Sequence, residues 1–114
     1  MVNIIITPAI GGKPGKLTAV GHAGAGPKGT DMVCCAITAL IAGLVANLEA
    51  CWDVKVTTKG QPGDLELSWR KANRKGRGME RANHAAGYCY TALRALQEDY
   101  PPNLRVEWRR VEIE

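Results

Sequence analysis

Residues 31–49 read DMVCCAITALIAGLVANLE, and this stretch is the most informative part of the chain. From Met32 to Leu48 nearly every residue is apolar, and a run of this length predicts a helix. Asp31, or Thr30 before it, can accept the unpaired backbone N–H groups of the first helical turn. A membrane span is the rival interpretation, but it requires about 20 apolar residues, and this run is shorter and ends at an acidic residue. We therefore predict a buried core helix and no association with a membrane.

The segments around this helix predict five strands and a second helix. Short β-branched or alternating runs predict the strands, and the segments rich in glycine and proline between them predict turns. Small apolar residues spaced at helical intervals predict a second helix from Met79 to Tyr100, which ends before Pro101. The predicted strands span residues 2–7, 17–22, 54–59, 65–69 and 104–113. The order ββαββαβ predicts a single α+β domain over residues 1–114, with two helices packed on one mostly antiparallel sheet.

Length, composition and charge restrict the class of protein. The 114 residues suffice for one hydrophobic core but not for a full dinucleotide-binding fold. A composition of 46% hydrophobic and 23% charged residues is typical of a globular protein and excludes a disordered or fibrous chain. The net charge of +4 hints at anionic partners. Two of the four cysteines are adjacent, and no basic segment of a secretory signal precedes them. These features predict reduced thiols in a cytoplasmic protein.

The residues suited to catalysis lie between His22 and Thr38. His22 ends a predicted strand, a glycine-rich loop over 23–30 follows, and Cys34 lies in the first turn of the helix. The positive end of the helix dipole, or a neighbouring imidazolium, lowers the pKa of a thiol. The N–H groups of that turn can also hold the oxyanion of a tetrahedral intermediate. A cysteine, a histidine and such donors are the parts of a cysteine hydrolase. Spacing alone does not bring Cys34 to His22, and a buried structural cysteine is the alternative.

Two sequence blocks carry a resemblance to a known family. Residues 21–23 (GHA) end a predicted strand, and residues 31–34 (DMVC) begin the long helix after the short glycine-rich loop. In these blocks and in the predicted order of elements, the chain resembles the ribosomal-processing cysteine protease Prp family. The resemblance covers most of the chain, and its specific part is residues 21–40. It implies a cysteine endopeptidase in which Cys34 is the nucleophile and His22 is the general base.

The resemblance further implies a substrate, a lid and an assembly. The implied substrate is the N-terminal extension of a ribosomal large-subunit protein (number twenty-seven), cut after an aromatic, hydrophobic stretch. Asp31 and Thr38 match polar positions near the family's site. The loop 23–30 is implied to be a lid that orders over the peptide, and its glycines are Gly24, Gly26 and Gly29. A homodimer without a cofactor is implied. Cys35 departs from the family pattern, which usually has Ala or Ser there, and the register of the motif favours the preceding thiol as the one that faces the histidine.

Other features permit different interpretations. Residues 24–29 match G-x-G-x-x-G, but this chain lacks the parallel βαβ unit of a dinucleotide site. The cysteines form no C-x-x-C pair, so we predict no metal site, and His84 is interpreted as a surface or capping histidine. The basic loop 70–78 contains five lysines and arginines and supports a second hypothesis. In that hypothesis the chain is a non-catalytic ribosome- or RNA-associated binding module, for which Trp69 is the only adjoining aromatic residue.

Overall fold

The computed structural model describes residues 1–27, 30–72 and 76–110. Gly29 of the predicted lid, residues 73–75 of the basic loop and residues 111–113 of the predicted last strand lie outside these ranges. The elements are β1 (Val2–Thr7), β2 (Gly15–Val20), α1 (Met32–Glu49), β3 (Val54–Gln61), β4 (Asp64–Lys71), α2 (Gly78–Asp99) and β5 (Leu104–Trp108). Their order confirms the predicted fold class.

The five strands form one sheet in the order β3-β4-β2-β1-β5. The neighbours pair antiparallel except for β1 and β5, which are parallel, so that Ile4 lies opposite Ala19 on one side and Val106 on the other. Alternate residues of a strand point to opposite faces of the sheet. Accordingly Val2, Ile4 and Ile6 are buried while Asn3 between them is exposed. Both helices cover the buried face, and the other face carries mainly polar side chains.

Strand β2 ends two residues earlier than predicted. Gly21 follows it with a φ of 101°, which side chains rarely adopt, and a Cβ there would collide with the backbone carbonyl oxygen of Met1. This close approach ends the extended conformation at Val20. His22 therefore belongs to the loop beyond the sheet and not to the strand itself.

Helix α1 is buried on one side only, which corrects the prediction of a buried core helix. Its buried residues recur every three or four positions and are Val33, Ile37, Ile41, Leu44 and Leu48. The opposite side is also apolar but faces outward, and Met32 at its start is 77% exposed. By length and composition, α1 is the one helix among the described residues that is apolar enough to cross a membrane. A helix that packs its buried face on a sheet, as this one does, meets the same criteria.

Helix α2 is capped by a residue from a distant part of the chain. Oδ2 of Asp53, which is 1% exposed, accepts a hydrogen bond of 2.6 Å from the N–H of Gly78. The carbonyl of Asp53 accepts another from Ala72 at 2.8 Å. A Cβ on Gly76 or Gly78 would collide with the carboxylate. Both ends of the basic loop are therefore held by one buried residue.

The basic loop is shorter than predicted, and its aromatic neighbour is not accessible. Arg70 and Lys71 belong to β4, and Gly78 begins α2. Trp69 is 0% exposed, and its indole N–H donates to Oδ1 of Asn83 at 3.3 Å. Trp69 cannot stack on a nucleotide base, because it is part of the hydrophobic core.

Candidate active site

The imidazole of His22 rests on the turn between β3 and β4. The N–H of Gly21 donates to the carbonyl oxygen of Gly63 at 2.8 Å, which joins the end of β2 to this turn. Gly63 has a φ of 92°, and a Cβ on it would lie 2.7 Å from both Cε1 and Nε2 of His22. Only a residue without a side chain leaves room for the ring at this place. The turn therefore determines where the imidazole can lie.

Asp31 is the N-cap of α1, as predicted, and it also holds the loop before the helix. Its Oδ1 accepts from the N–H of Cys34 and its Oδ2 from the N–H of Ala25, both at 3.0 Å. The Cys34 N–H does most to lower the pKa of the Asp31 carboxyl, the Ala25 N–H and the Cys34 thiol add to this, and burial opposes it. One ionised carboxylate, only 7% exposed, thus ties the loop to the turn that carries the candidate nucleophile.

Two of the donors that the sequence predicts at the start of α1 are already occupied. The N–H of Cys34 is occupied by Oδ1 of Asp31, and the N–H of Cys35 donates to the backbone carbonyl of Asp31 at 3.1 Å. A good N-cap satisfies the donors that an oxyanion would otherwise use. In this arrangement neither of these two N–H groups is available to an oxyanion.

A cavity of about 860 Å³ brings the predicted site residues together. Its walls come from the loop after β2, the first three turns of α1 and the β3–β4 turn. The lining residues are His22, Gly24, Gly26, Asp31, Cys34, Cys35, Thr38, Ala39, Ala42, Gln61 and Pro62. The helical members recur at intervals of three and four, which places them on one side of α1. A thiol, an imidazole and a carboxylate thus share one cavity that has an apolar floor.

Both adjacent cysteines reach this cavity. Cys34 is half-buried and Cys35 is exposed, and both line the wall. The cavity spans a wide arc of α1, so both thiols can line it, and the expectation that only Cys34 faces His22 stays a prediction. What separates the two thiols is Asp31, whose carboxylate contacts the Cys34 side chain and backbone.

The β3–β4 turn is the part of the site that the sequence did not reveal. Gln61 and Pro62 line the cavity, and Gly63 supports the imidazole. The segment 60–64 reads as an ordinary turn, because proline and glycine are common in any turn. Its role arises from strand order, since β4 pairs with β2 and carries the turn to the end of that strand.

A second groove continues from the cavity between the two helices. Its volume is about 520 Å³, and Ala39 lines both spaces. His84, which the sequence places on the surface, lies on the wall of this groove, as does Tyr88 at 77% exposure. Among residues 1–27, 30–72 and 76–110, no group of His, Cys, Asp or Glu is arranged to hold a metal ion.

A thiol and an imidazole that line one cavity are the side chains that a cysteine protease requires. The family model for the cysteine protease Prp matches residues 1–105. The chain therefore belongs to the Prp family of cysteine proteases.

Several solved structures share this fold. The ribosomal processing protease Prp of S. aureus, in complex with a covalently linked product peptide, superimposes with a TM-score of 0.77 at 20% identity, over 96% of this chain and 100% of that one. The S. aureus protease with a substrate peptide gives 0.68 at 18% identity over the same shares. SMU.848 from Streptococcus mutans gives 0.66 at 21% identity, over 97% of this chain and 96% of that one. Identities this low establish the fold alone. No curated protein sequence matches the chain significantly.

Proposed function

We propose that this protease removes the N-terminal extension of a ribosomal large-subunit protein, with Cys34 as the nucleophile and His22 as the general base. The observation that carries the proposal is the single cavity that contains both side chains and the carboxylate of Asp31. The fold-level relative from S. aureus is a ribosomal processing protease, and its structure with a covalently linked peptide supports a covalent mechanism. The apolar wall of Ala39 and Ala42 suits an apolar stretch of substrate.

The reaction uses these two side chains and water. His22 accepts the thiol proton of Cys34, and the thiolate sulfur attacks the scissile carbonyl carbon. His22 then gives this proton to the leaving amine, the C–N bond breaks, and the N-terminal part of the substrate remains on Sγ as a thioester. A water molecule loses a proton to His22 and attacks the thioester. The C–S bond breaks, the acid leaves, and His22 returns the proton to the thiolate.

Asp31 acts as a positioning residue and the loop 23–30 as the lid. The base of the lid is fixed, because Ala23 is 2% exposed and its carbonyl accepts from Nδ2 of Asn103 at 2.8 Å. Beyond it, the N–H of Ala25 is bound to Asp31, so the described part of the lid is docked on the helix start. Gly24 faces the cavity without a side chain that would obstruct a peptide. An entering peptide that draws the Cys34 N–H away from Oδ1 of Asp31 would create an oxyanion donor, while the bond from the Ala25 N–H to Oδ2 keeps the lid docked.

The homodimer and the cytoplasmic location complete the proposal. The outward side of α1 is apolar, and Met32 and Tyr88 at the helical surface are each 77% exposed. Exposed apolar surface of this kind is typical of an interface. All four cysteines are free thiols, which suits a reducing compartment. Light scattering during gel filtration measures the mass, and about 25 kDa is expected against 12.3 kDa for one chain.

The test is cleavage of a peptide that spans the N-terminal extension of the ribosomal protein. Cys34→Ala and His22→Ala should lose cleavage by at least about 1,000-fold, whereas the matched control Cys35→Ala should retain it. The intact mass of the protein trapped during turnover should show the acyl group on Cys34. Loss of activity in Cys35→Ala with activity kept in Cys34→Ala would show that the nucleophile is the other thiol.

A separate measurement distinguishes a wrong substrate from wrong chemistry. If the wild-type protein does not cleave the peptide, the rate of alkylation by iodoacetamide is measured from pH 5 to pH 9 in the wild type and in His22→Ala. An activated thiol reacts well below pH 8, and the reaction depends on His22. A rate that follows an ordinary thiol in both proteins would reject the dyad itself.

A further inference from the structure

A groove at the β5 edge of the sheet differs in chemistry from the catalytic cavity. Its volume is about 800 Å³, and within the described part of the chain it shares no lining residue with the catalytic cavity. Strand β5 and the second half of α2 form its walls. Among the residues that the structure describes, three arginines and a single carboxylate line it, and these are Arg94, Arg105, Arg109 and Glu107. The groove is therefore a concentrated positive surface on a chain whose net charge is +4.

Two of these arginines have no acidic partner among the described residues. Arg109 is paired with Glu107 through Nη2 and Oε2, which are 2.6 Å apart. Arg94 and Arg105 are both exposed, and neither forms an ion pair with residues 1–27, 30–72 or 76–110. Arg94 is on α2, which covers one face of the sheet, and Arg105 lies on the opposite face of β5. Two unneutralised guanidinium groups thus flank the edge strand, and each is suited to a phosphate group.

The groove also contains an aromatic pair. Tyr90 and Trp108 line the same groove, and their ring centroids are 5.4 Å apart with the planes tilted by 60°. Both rings are half-buried, so the tyrosine supports the indole while part of the indole remains accessible. A positively charged groove with an accessible aromatic ring is the combination that binds single-stranded nucleic acids. Trp69 beside the basic loop 70–78 does not provide it, because that indole is buried.

The edge of β5 is protected from pairing with another strand. The N–H of Val106 donates to Oε1 of Gln97 at 2.8 Å. The Gln97 side chain, which comes from α2, therefore occupies this N–H group of the edge strand. A peptide that added a strand here would first have to break that bond. The groove is therefore better suited to a ligand that binds through side chains than to one that binds through backbone pairing.

We propose that this groove binds single-stranded RNA. Arg94 and Arg105 contact successive phosphate groups, and a base stacks on Trp108. The site is independent of the catalytic cavity, so the proposal goes beyond the proteolytic function. This role rests on the proposed function: with a ribosomal protein as substrate, the groove gives the protease a second means of holding a substrate that is bound to RNA.

The test is the fluorescence anisotropy of a labelled 12-mer of oligouridine at several salt concentrations. Wild-type binding should weaken with salt, and Arg94→Ala/Arg105→Ala should raise Kd at least about tenfold. Each lost phosphate contact lowers the slope of log K against log salt by about 0.7 for a single strand, so the double variant should lose about 1.4. The matched control Lys55→Ala/Lys59→Ala removes two exposed charges from β3, at the other edge of the sheet, and should change Kd less than about twofold.

Two further measurements complete the test. Trp108→Leu should raise Kd at least about fivefold and leave the salt slope unchanged, because stacking involves no counterion release. Peptide cleavage should be the same in all variants, which verifies that they are folded. An absence of binding, or an equal loss in both double variants, would overturn the proposal. Competition by polyglutamate as effective as that by oligouridine would also overturn it, since any polyanion would then suffice.

Discussion

The substitution Gly63→Ala tests whether the β3–β4 turn positions the catalytic imidazole. The new Cβ would lie 2.7 Å from Cε1 and Nε2 of His22, whereas ordinary contacts of this kind begin at 3.4 Å. The imidazole must therefore move by about 0.7 Å or more. The substitution changes no atom of His22 or Cys34, so a loss of activity per folded molecule arises from displacement of the ring.

The magnitude follows from the geometry. A misplacement of about 1 Å at a reacting group costs about 100-fold in rate, and kcat/KM should fall by about this factor. This corresponds to about 2.7 kcal/mol of transition-state stabilisation. The φ of 92° at Gly63 adds a loss of stability of about 1–2 kcal/mol, because side chains are strained in left-handed conformations.

The matched control is Gly12→Ala. Gly12 has a φ of 80°, but a Cβ there has nothing within 4 Å. Both variants should therefore lose similar stability in urea unfolding, and only Gly63→Ala should lose peptide cleavage. If Gly63→Ala cleaves as fast as Gly12→Ala, the position of His22 on this turn does not matter for catalysis. The reasoning from the turn to the base would then be refuted.

Three further predictions concern the other titratable groups. The pKa of Asp31 is lowered in the folded protein, so its carboxylate stabilises the fold above about pH 4. This contribution is lost as pH falls through the folded-state pKa. The Tm difference between wild type and Asp31→Asn should therefore be constant from pH 5 to 7 and shrink in acid. Burial raises the pKa of Cys89 to about 11, so peptide mapping after iodoacetamide treatment at pH 8 should find Cys34 and Cys35 labelled and Cys89 unlabelled until the protein is denatured. Asp53→Ala removes the carboxylate that caps α2 and should lower the free energy of unfolding in urea by about 2 kcal/mol. Cleavage per folded molecule should be unchanged. An unaltered unfolding midpoint would show that the cap is not stabilising.

Local patterns in the sequence were sufficient to predict the elements and the candidate catalytic residues. The apolar run after Asp31 predicted α1 and its cap, and the alternating runs predicted the strands in the correct order. These patterns are local, because helix capping and strand alternation depend on residues a few positions apart. The blocks around His22 and Cys34 pointed to a cysteine protease through their resemblance to the Prp family, because their residue types and spacing alone left a structural cysteine as the alternative.

The surfaces that those elements share became evident only in the folded chain. Gly63 supports His22 from 41 positions away along the chain, and Asp53 caps a helix that begins 25 residues later. The arginines of the β5 groove are scattered over α2, β5 and the residue that follows β5, so the basic loop was the more conspicuous feature of the sequence. Such contacts depend on strand order and on how the helices pack against the sheet. The sequence pattern within one element carries no record of which distant element will lie beside it.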